Sequence, residues 1–494
     1  MRTLYDPSSD VTSIDAILDS QALLLYFRAP RSATGEDVLE LHVHGGPAVV
    51  KSVLNAISRC RRSLDVRYAE PGEFTRRAFF NGRLDLTQVE ALGDTLHAVT
   101  EQQRRLAVRA TGGNDVSRQY ELWRQWLLEA RGELEALIDF SEDQHFDESP
   151  ATLMASVSNQ VQTLVDNVEI FKKNALRGEL LRKGIGIALI GEPNAGKSSL
   201  LNTILGREAA IVNEEAGTTR DIIEAGLDIR GWYCRISDTA GFREDAEPGS
   251  RFSHNVANAI SEVEREGMRR ARRRVLESDL IIGVLPVEAT ENLIMYKTDY
   301  RLRLDQQVLE IIKESHKNGK EIILVINKID RINEDRLATV SNLKKAVINS
   351  FPFLSADQIF TISCNNASKQ EKNKADPGNI HQFLNGLIGC FQRMTAAITG
   401  RRNRESHQVA EMDRSVWESS LGASERHRLL LEDCKSHLEA FLALTRPDSL
   451  DEESIDIVVA AESLRSAATS LGKITGRDGG ASDVEEVLGV VFEK

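Results

Sequence analysis

Hydrophobic positions change their period along the chain, and the changes mark out its organisation. In residues 1–83 the apolar runs are short. Ala22–Phe27 (ALLLYF) and Val38–Val43 (VLELHV) predict strands, and Pro47–Cys60 predicts a helix with Val49, Val53 and Ile57 on one face. The stretch Arg67–Arg83, RYAEPGEFTRRAFFNGR, is too polar for a core and carries Pro-Gly and Asn-Gly turn signals. From Leu84 to about Arg182 the period is helical. Leu92, Leu96 and Val99 form one stripe, Trp126, Ala130, Leu134 and Leu137 a second, and Val157, Val161, Leu164, Val168 and Phe171 a third, with breaks at Gly112-Gly113 and Ser141–Pro150. Residues 184–395 alternate strands and helices, the pattern of a doubly wound α/β block. After Gly400 the chain is helical again, with Leu431, Cys434, Leu438 and Phe441 in one stripe and Val458, Ala461, Leu464 and Ala468 in the next. Each helical flank is too thin to bury a core alone. The two are expected to pack together, with the α/β block inserted between them. The predicted divisions are 1–83, 84–183, 184–395 and 396–494.

Candidate chemistry sits on the strand ends of that block. The run Ile185–Ile190 reads as a buried strand, followed by Gly191-Glu-Pro-Asn-Ala-Gly-Lys-Ser-Ser199 and a helical run Leu200–Leu205. Gly191 and Gly196 let the backbone around Asn194 and Ala195 curl so that its N–H groups point into one concavity. The helix adds its positive end there. Lys197 supplies a charge for β- and γ-phosphates, and the Ser198 hydroxyl, beside Ser199, is placed to hold Mg²⁺. Four more stretches follow in order. Gly217-Thr218-Thr219-Arg-Asp221 offers hydroxyls for Mg²⁺ and a γ-phosphate sensor. Asp238-Thr239-Ala240-Gly241 ends the predicted strand Tyr233–Ser237, with Asp238 reaching Mg²⁺ through water and the Gly241 N–H facing the γ-phosphate. Asn327-Lys328-Ile-Asp330 ends the predicted strand Ile322–Ile326, and the Asp330 carboxylate can accept from the guanine N1 and N2 groups, which adenine cannot offer. Ile362-Ser363-Cys364-Asn365 ends a last strand, placed for backbone contact to the guanine O6. Five motifs in this order predict GTP binding and hydrolysis and argue against a P-loop kinase or ATPase. Phe242-Arg243 follow Gly241, so the Gln that orients water in Ras-like sites is missing. Beyond lie Glu262, Glu264 and Glu266 and an arginine run, Arg269–Arg274. The run reads first as a solvated helix face, alternatively as an RNA or partner contact that moves with the preceding loop.

Composition changes the picture only at the margins. With 494 residues the chain exceeds one ordinary core. The net charge of −13 argues against coating nucleic acid by bulk charge, so any RNA contact should be local. Five scattered cysteines without a C-x-x-C pair suit a reducing compartment, no apolar run approaches a membrane span, and the first residues resemble neither a signal nor a transit peptide. A soluble, intracellular protein is expected. His42 and His44, alternating on the predicted strand, could mean a metal, but with no third ligand nearby they read as hydrogen-bonded structural histidines.

Taken together, GEDVLELHVHGG (35–46), YAEPGEFTRRAFFNGRLDLTQVEAL (68–92), GEPNAGKSSLLN (191–202), REAAIVNEEAGTTRD (207–221), DTAGFR (238–243) and SEVEREG (261–267) resemble the MnmE/TrmE family, GTPases of tRNA wobble-uridine modification. The fold class this implies is α/β plus all-α: a Ras-like P-loop GTPase domain inserted in a helical domain, preceded by a small α+β folate-binding-like domain. The resemblance further implies an N-terminal domain that dimerises and binds a tetrahydrofolate derivative through Glu40 and Arg83. It implies a potassium-dependent GTPase site with Asn194, Asn213, Glu215 and Thr218 around K⁺, Ser198 and Thr219 on Mg²⁺, and Glu264 orienting water. Lys197 and Asn194 join Glu264 as the catalytic set. It also implies G domains that face each other as dimers on GTP binding, and an FAD-containing MnmG partner in a heterotetramer that modifies C5 of uridine 34 of tRNA. A location in the mitochondrion is expected, or in the cytoplasm for a bacterial member. Family members carry a further PPGRGGVGILRISG-like segment at the start and Phe-Cys-Ile/Val-Gly-Lys at the end, and this chain is expected to be clipped at both, through an incomplete gene model or as an isoform. About a dozen residues near Glu244–Ile260 are expected to form a disordered insert. Two other readings stay open: a GTP-gated dimeric binding module without modification chemistry, and an Era- or Der-like ribosome-assembly GTPase.

Overall fold

The computed structural model describes residues 1–10, 13–60, 66–112, 115–139, 150–206, 209–213, 224–237, 272, 275–292, 297–333, 335–368, 376, 378–399, 413–445, 456–477, 487 and 489. It divides into two units: residues 1–97, 107–172 and 399–494, and residues 98–106 and 173–398. In chain order the first elements are β1 (Arg2–Tyr5), β2 (Ile17–Phe27), β3 (Val38–His42), α1 (Pro47–Ser58), α2 (Glu73–Phe80), α3 (Leu86–His97), α4 (Glu101–Gly112), α5 (Asp115–Asp139) and α6 (Pro150–Lys183). Then come β4 (Ile185–Ile190), α7 (Lys197–Leu205), β5 (Ala209–Asn213), β6 (Glu224–Ile229), β7 (Trp232–Ser237), β8 (Leu280–Asn292), β9 (Lys297–Leu302), α8 (Gln306–Lys317), β10 (Glu321–Asn327), α9 (Arg336–Ser350), β11 (Ile359–Thr361), α10 (Cys364–Ser368) and α11 (Ile380–Thr395). The last are α12 (Arg414–Ser419), α13 (Glu425–Leu444) and α14 (Ile457–Thr475).

The second unit is built on an eight-stranded sheet in the order β11-β10-β8-β4-β7-β6-β5, with β9 paired to β8 off that path. The pairs β11–β10, β10–β8, β8–β4 and β4–β7 are parallel, whereas β5 and β6 form antiparallel pairs at one edge. Continuous apolar runs such as Ile322–Ile326 arise because helices cover both faces, so successive side chains enter different cores. Ile187, Leu189, Ile282, Val284, Ile323 and Val325 pack with Leu200 and Ile204 of α7 and with Phe383, Leu384 and Leu387 of α11. Ala188, Ile190, Ile281, Leu324 and Ile326 pack with Ile312 of α8 and Leu343 and Val347 of α9. This arrangement brings the carboxyl ends of β4, β10 and β11 to one edge, where crossover loops leave backbone groups for a ligand.

In the first unit one core draws on both helical flanks. Val157, Val161, Leu164, Val168 and Phe171 of α6 pack with Leu127 and Leu134 of α5, and with Leu431, Cys434, Leu438 and Phe441 of α13 and Leu464 of α14. Trp123, Phe171 and Trp417 pack with their rings tilted or edge-on, at 4.9 and 5.4 Å between ring centres. One predicted stripe faces the wrong way. Leu96 and Val99 are exposed, and α3 instead buries Leu86, Val89, Ala91 and Gly93. The stripe on α14 is buried as predicted at Ala461, Leu464 and Ala468, joined by Ala460, Ala467 and Leu471, and its first member, Val458, is exposed. The polar stretch 67–83 contains a helix, α2, begun at Gly72 in the left-handed region (φ 74°) and braced by Arg67 and Arg77 on Glu73. His44 lies beyond the end of β3, where its Nδ1 stands 2.9 Å from Asp19 Oδ1, and His42 Nε2 stands 3.1 Å from Glu40 Oε2.

A buried ionic knot ties α3 to the C-terminal helices. Glu90, with a largely buried side chain, accepts from Arg426 Nε (2.6 Å) and Ser424 Oγ (2.9 Å), and His427 Nε2 lies 2.9 Å away. Arg426 also donates to the carbonyls of Lys473 and Ile474, at the negative end of α14. Burial alone would raise the Glu90 carboxyl, but His427 and Arg426 outweigh it and hold the group at about 2 instead of 4.5. A carboxylate lowered on folding contributes its stability above its unfolded value and loses it as pH falls from 4.5 through about 2. The knot should therefore add about 2–3 kcal/mol near neutrality. Denaturant unfolding of Glu90→Gln should show a deficit at pH 7 that shrinks by pH 3. A deficit that stays constant with pH would show that the charge is not the cause.

Candidate nucleotide-binding site

The loop after β4 is shaped by two glycines that no other residue could replace without displacement. At Gly191 (φ 153°) a Cβ would lie 2.4 Å from the carbonyl oxygen of Val284, and at Gly196 (φ 100°) it would lie 2.1 Å from Asn327 Nδ2. Between them Asn194 is also left-handed (φ 62°) and exposed, and Ala195 is buried. Lys197 opens α7, and its Nζ donates to the carbonyls of Gly191 (3.0 Å) and Glu192 (2.9 Å). The ammonium is thus held over the hollow of the loop, while Ser198 and Ser199 stand exposed on the first turn of α7.

The base-reading residues lie on the ends of β10 and β11. Asn327, buried, spans both loops: Nδ2 donates to Ala195 O (3.0 Å), and Oδ1 accepts from the N–H groups of Lys328 (2.8 Å) and Cys364 (3.5 Å). Lys328, left-handed at φ 66°, sends Nζ to Asn194 O at 2.5 Å. Asp330 accepts from Ser363 Oγ (2.6 Å) on one oxygen and from Asn365 Nδ2 (3.1 Å) on the other. Partial burial pushes this carboxyl up, but those two hydrogen bonds outweigh it and leave it below the usual carboxylate value, hence ionised. Burial pushes the Cys364 thiol up to about 11, so it stays protonated and neutral at physiological pH. Beside these residues runs a cleft of about 540 Å³, lined by Ser199, Asn202 and Thr203 of α7 and by Cys364, Asn365 and Ser368 of α10.

The structure therefore brings together Gly191, Asn194, Ala195, Gly196, Lys197, Ser198 and Ser199 with Asn327, Lys328, Asp330, Ser363, Cys364 and Asn365. Asn213 ends β5, opposite Gly226. Glu215, Gly217, Thr218, Thr219, Asp238, Thr239, Ala240, Gly241 and Glu264 lie outside the described residues, as do Glu244–Ile260. Of the arginine run only Arg272 is described, and it pairs with Glu314 at 2.7 Å. Glu40 and Arg83 belong to the first unit, where both are exposed. Glu40 pairs with His42, and the Arg83 side chain passes beside Gly35. Sequence reasoning missed the pairing of Glu192 with Arg303 and of Asn333 with Tyr300, because contacts between residues 111 and 33 positions apart leave no periodic signal.

A glycine-shaped phosphate loop wired through one buried Asn to a paired-acceptor base reader defines a guanine-nucleotide-binding P-loop protein. The MnmE helical domain family matches residues 86–494, and the family of the GTP-binding protein TrmE N-terminus matches residues 1–83. The mitochondrial tRNA modification GTPase mss1 of Schizosaccharomyces pombe is 35% identical over 96% of this chain and 83% of its own. tRNA modification GTPase MnmE of Paramagnetospirillum magneticum is 37% identical over 97% and 86%. The mitochondrial 5-taurinomethyluridine-tRNA synthase subunit GTPB3 of Rattus norvegicus is 34% identical over 96% and 80%. The chain belongs to the MnmE/TrmE family of tRNA modification GTPases, and it is a GTPase.

Proposed function

We infer that this protein hydrolyses GTP to drive modification at C5 of wobble uridine 34 in tRNA, together with an FAD-containing partner of the MnmG type. What carries the reading is the joined phosphate and base loops inside a chain that belongs to the tRNA modification GTPases over nearly its whole length. A GTPase cycle suits such a role because it converts a bound nucleotide into a timed change of shape. The relatives' names place related proteins in mitochondria and one as a subunit of a larger synthase, which supports a mitochondrial location and an assembly with partners. Among the described residues no helix is long and apolar enough to cross a membrane.

The residues at the site fit the ions the reaction requires. The exposed hydroxyl of Ser198, at the start of α7, can serve Mg²⁺ with Thr219, and the exposed, left-handed Asn194 can offer its amide oxygen to K⁺ with Asn213, Glu215 and Thr218. Bound there, the ions supply charge where the transition state builds it. Lys197 balances the β- and γ-phosphates, and Glu264 orients the attacking water. In the first unit, exposed Glu40 and Arg83 give the acceptor and cation that a tetrahydrofolate derivative would need. The protein works as a dimer, and as a heterotetramer with its partner.

Two measurements test this. The gene should restore wobble-uridine modification in a strain lacking its own family member, and failure with GTP hydrolysis intact would remove the modification role. Exchange of K⁺ for Na⁺ at constant ionic strength should lower hydrolysis by roughly tenfold or more. Equal rates in both salts would refute the site assigned to Asn194.

A further inference from the structure

An acid occupies the second position of the phosphate loop. Glu192 is buried, its carbonyl accepts from Lys197 Nζ at 2.9 Å, and its side chain is 9% exposed. A carboxylate inside a loop that must receive a triphosphate works against binding unless a cation covers it. The cover is Arg303, whose Nε lies 2.8 Å from Glu192 Oε2 and whose Nη1 donates to Glu288 Oε1 at 3.3 Å. Arg303 is carried there by the fold. The first half of β8 pairs with β10 as far as Pro286, and from Val287 onward β8 pairs antiparallel with β9, so that Val287 faces Leu302 and the next residue is Arg303. The same hairpin reaches the base-reading side, where Tyr300 Oη accepts from the Asn333 N–H at 3.1 Å, and Tyr300 and Leu302 pack on the sheet core. A strand anchored at both ends thus delivers one guanidinium to the one acidic side chain in the phosphate loop.

We propose that Arg303 is a positioning residue of the GTPase: it neutralises Glu192 and holds the phosphate loop in a form that accepts a polyanionic nucleotide. This rests on the reading of residues 191–199 as the phosphate site. It separates Arg303 from a transition-state arginine. Its charge is spent on Glu192 and Glu288, so its removal weakens ground-state and transition-state binding alike and leaves the chemical step untouched.

The test is a mutant cycle in the full chain, read by equilibrium binding of a fluorescent GTP analogue and by GTP hydrolysis at saturation. Arg303→Ala should raise Kd roughly 5–30-fold with kcat within about twofold, and Arg303→Lys should recover most of the loss. In a Glu192→Gln background, Arg303→Ala should change Kd by less than about threefold, because no carboxylate remains to be covered. An equal penalty in both backgrounds would show that Arg303 acts through the fold alone and would overturn the proposal. An unchanged Kd in Arg303→Ala, or a fall in kcat at constant Kd, would overturn it as well. Should Arg303→Ala fail to fold, Arg303→Gln against Arg303→Lys decides the matter, and equal affinities refute it. A parent protein that binds no GTP would instead refute the phosphate-site reading itself.

Discussion

Asp330→Asn should turn a guanine-specific site into a xanthine-specific one. Guanine presents two donors at this edge, N1–H and the N2 amino group, and the Asp330 carboxylate offers two acceptors. Ser363 Oγ and Asn365 Nδ2 hold that carboxylate at 2.6 and 3.1 Å, so the reader is fixed before the base arrives. Asparagine has one acceptor and one donor. Its amide N–H would meet the guanine amino group donor to donor, leaving both unpaired in a confined site. Xanthine carries a carbonyl where guanine carries the amino group, and it restores both bonds. Losing a base contact of this kind changes selectivity by roughly 10⁴-fold, so kcat/KM for GTP should fall by about that factor while XTP becomes a substrate. The free protein should tolerate the change, because the Asn365 amide can turn its oxygen toward the new N–H. Phosphate release measured with GTP and XTP side by side checks this. A variant that keeps GTP hydrolysis within tenfold of the parent would place the base reader elsewhere.

The parts of this site that could be read from the sequence are those where strand, loop and chemistry are contiguous. The strand Ile185–Ile190 is the observed β4, and Asn327 and Ser363–Asn365 stand at strand ends because the apolar runs before them end there. The doubly wound block was legible for the same reason, since both sheet faces are buried and its strands are uninterrupted apolar runs. Faces were harder than periods. On α3 the period was helical as read, but the buried side joins Leu86 and Val89 to Ala91 and Gly93, small residues that carry little weight against Leu96 and Val99 in a pattern of large side chains. The strand β2 begins at Ile17, five residues before the apolar run, because its pairing with β1 takes in Ile17 and the polar Asp19 as well as Ala22, with shifts of register between them. The long-range ion pairs were not legible at all. Arg426 finds Glu90 across 336 positions, and Glu192 finds Arg303 only because β8 leaves the parallel sheet to pair with β9.

The second large effect should come from Gly196→Ala, a change of one methyl group at a position with no room for it. The backbone there is left-handed at φ 100°, which strains any L residue, and the new Cβ would stand 2.1 Å from Asn327 Nδ2. Neither side can yield cheaply. Asn327 is buried and holds the Ala195 carbonyl at 3.0 Å, the Lys328 N–H at 2.8 Å and the Cys364 N–H at 3.5 Å, so moving it loosens the phosphate and base loops together. Moving Gly196 instead shifts the start of α7, and with it Lys197 and Ser198. Displacing catalytic groups by about 1 Å is enough to cost roughly 10²-fold, and here either escape displaces two loops at once. GTP affinity and hydrolysis should therefore both drop by about 10²-fold or more, as read by titration with a fluorescent GTP analogue and by phosphate release. Gly132→Ala is the matched control, since a Cβ there meets nothing within 4 Å, and it should leave both quantities unchanged. If Gly196→Ala binds GTP within threefold of the parent, the close approach of Asn327 to the phosphate loop is not what shapes the site, and the coupling between the two loops must run through Lys328 and Asn194 alone.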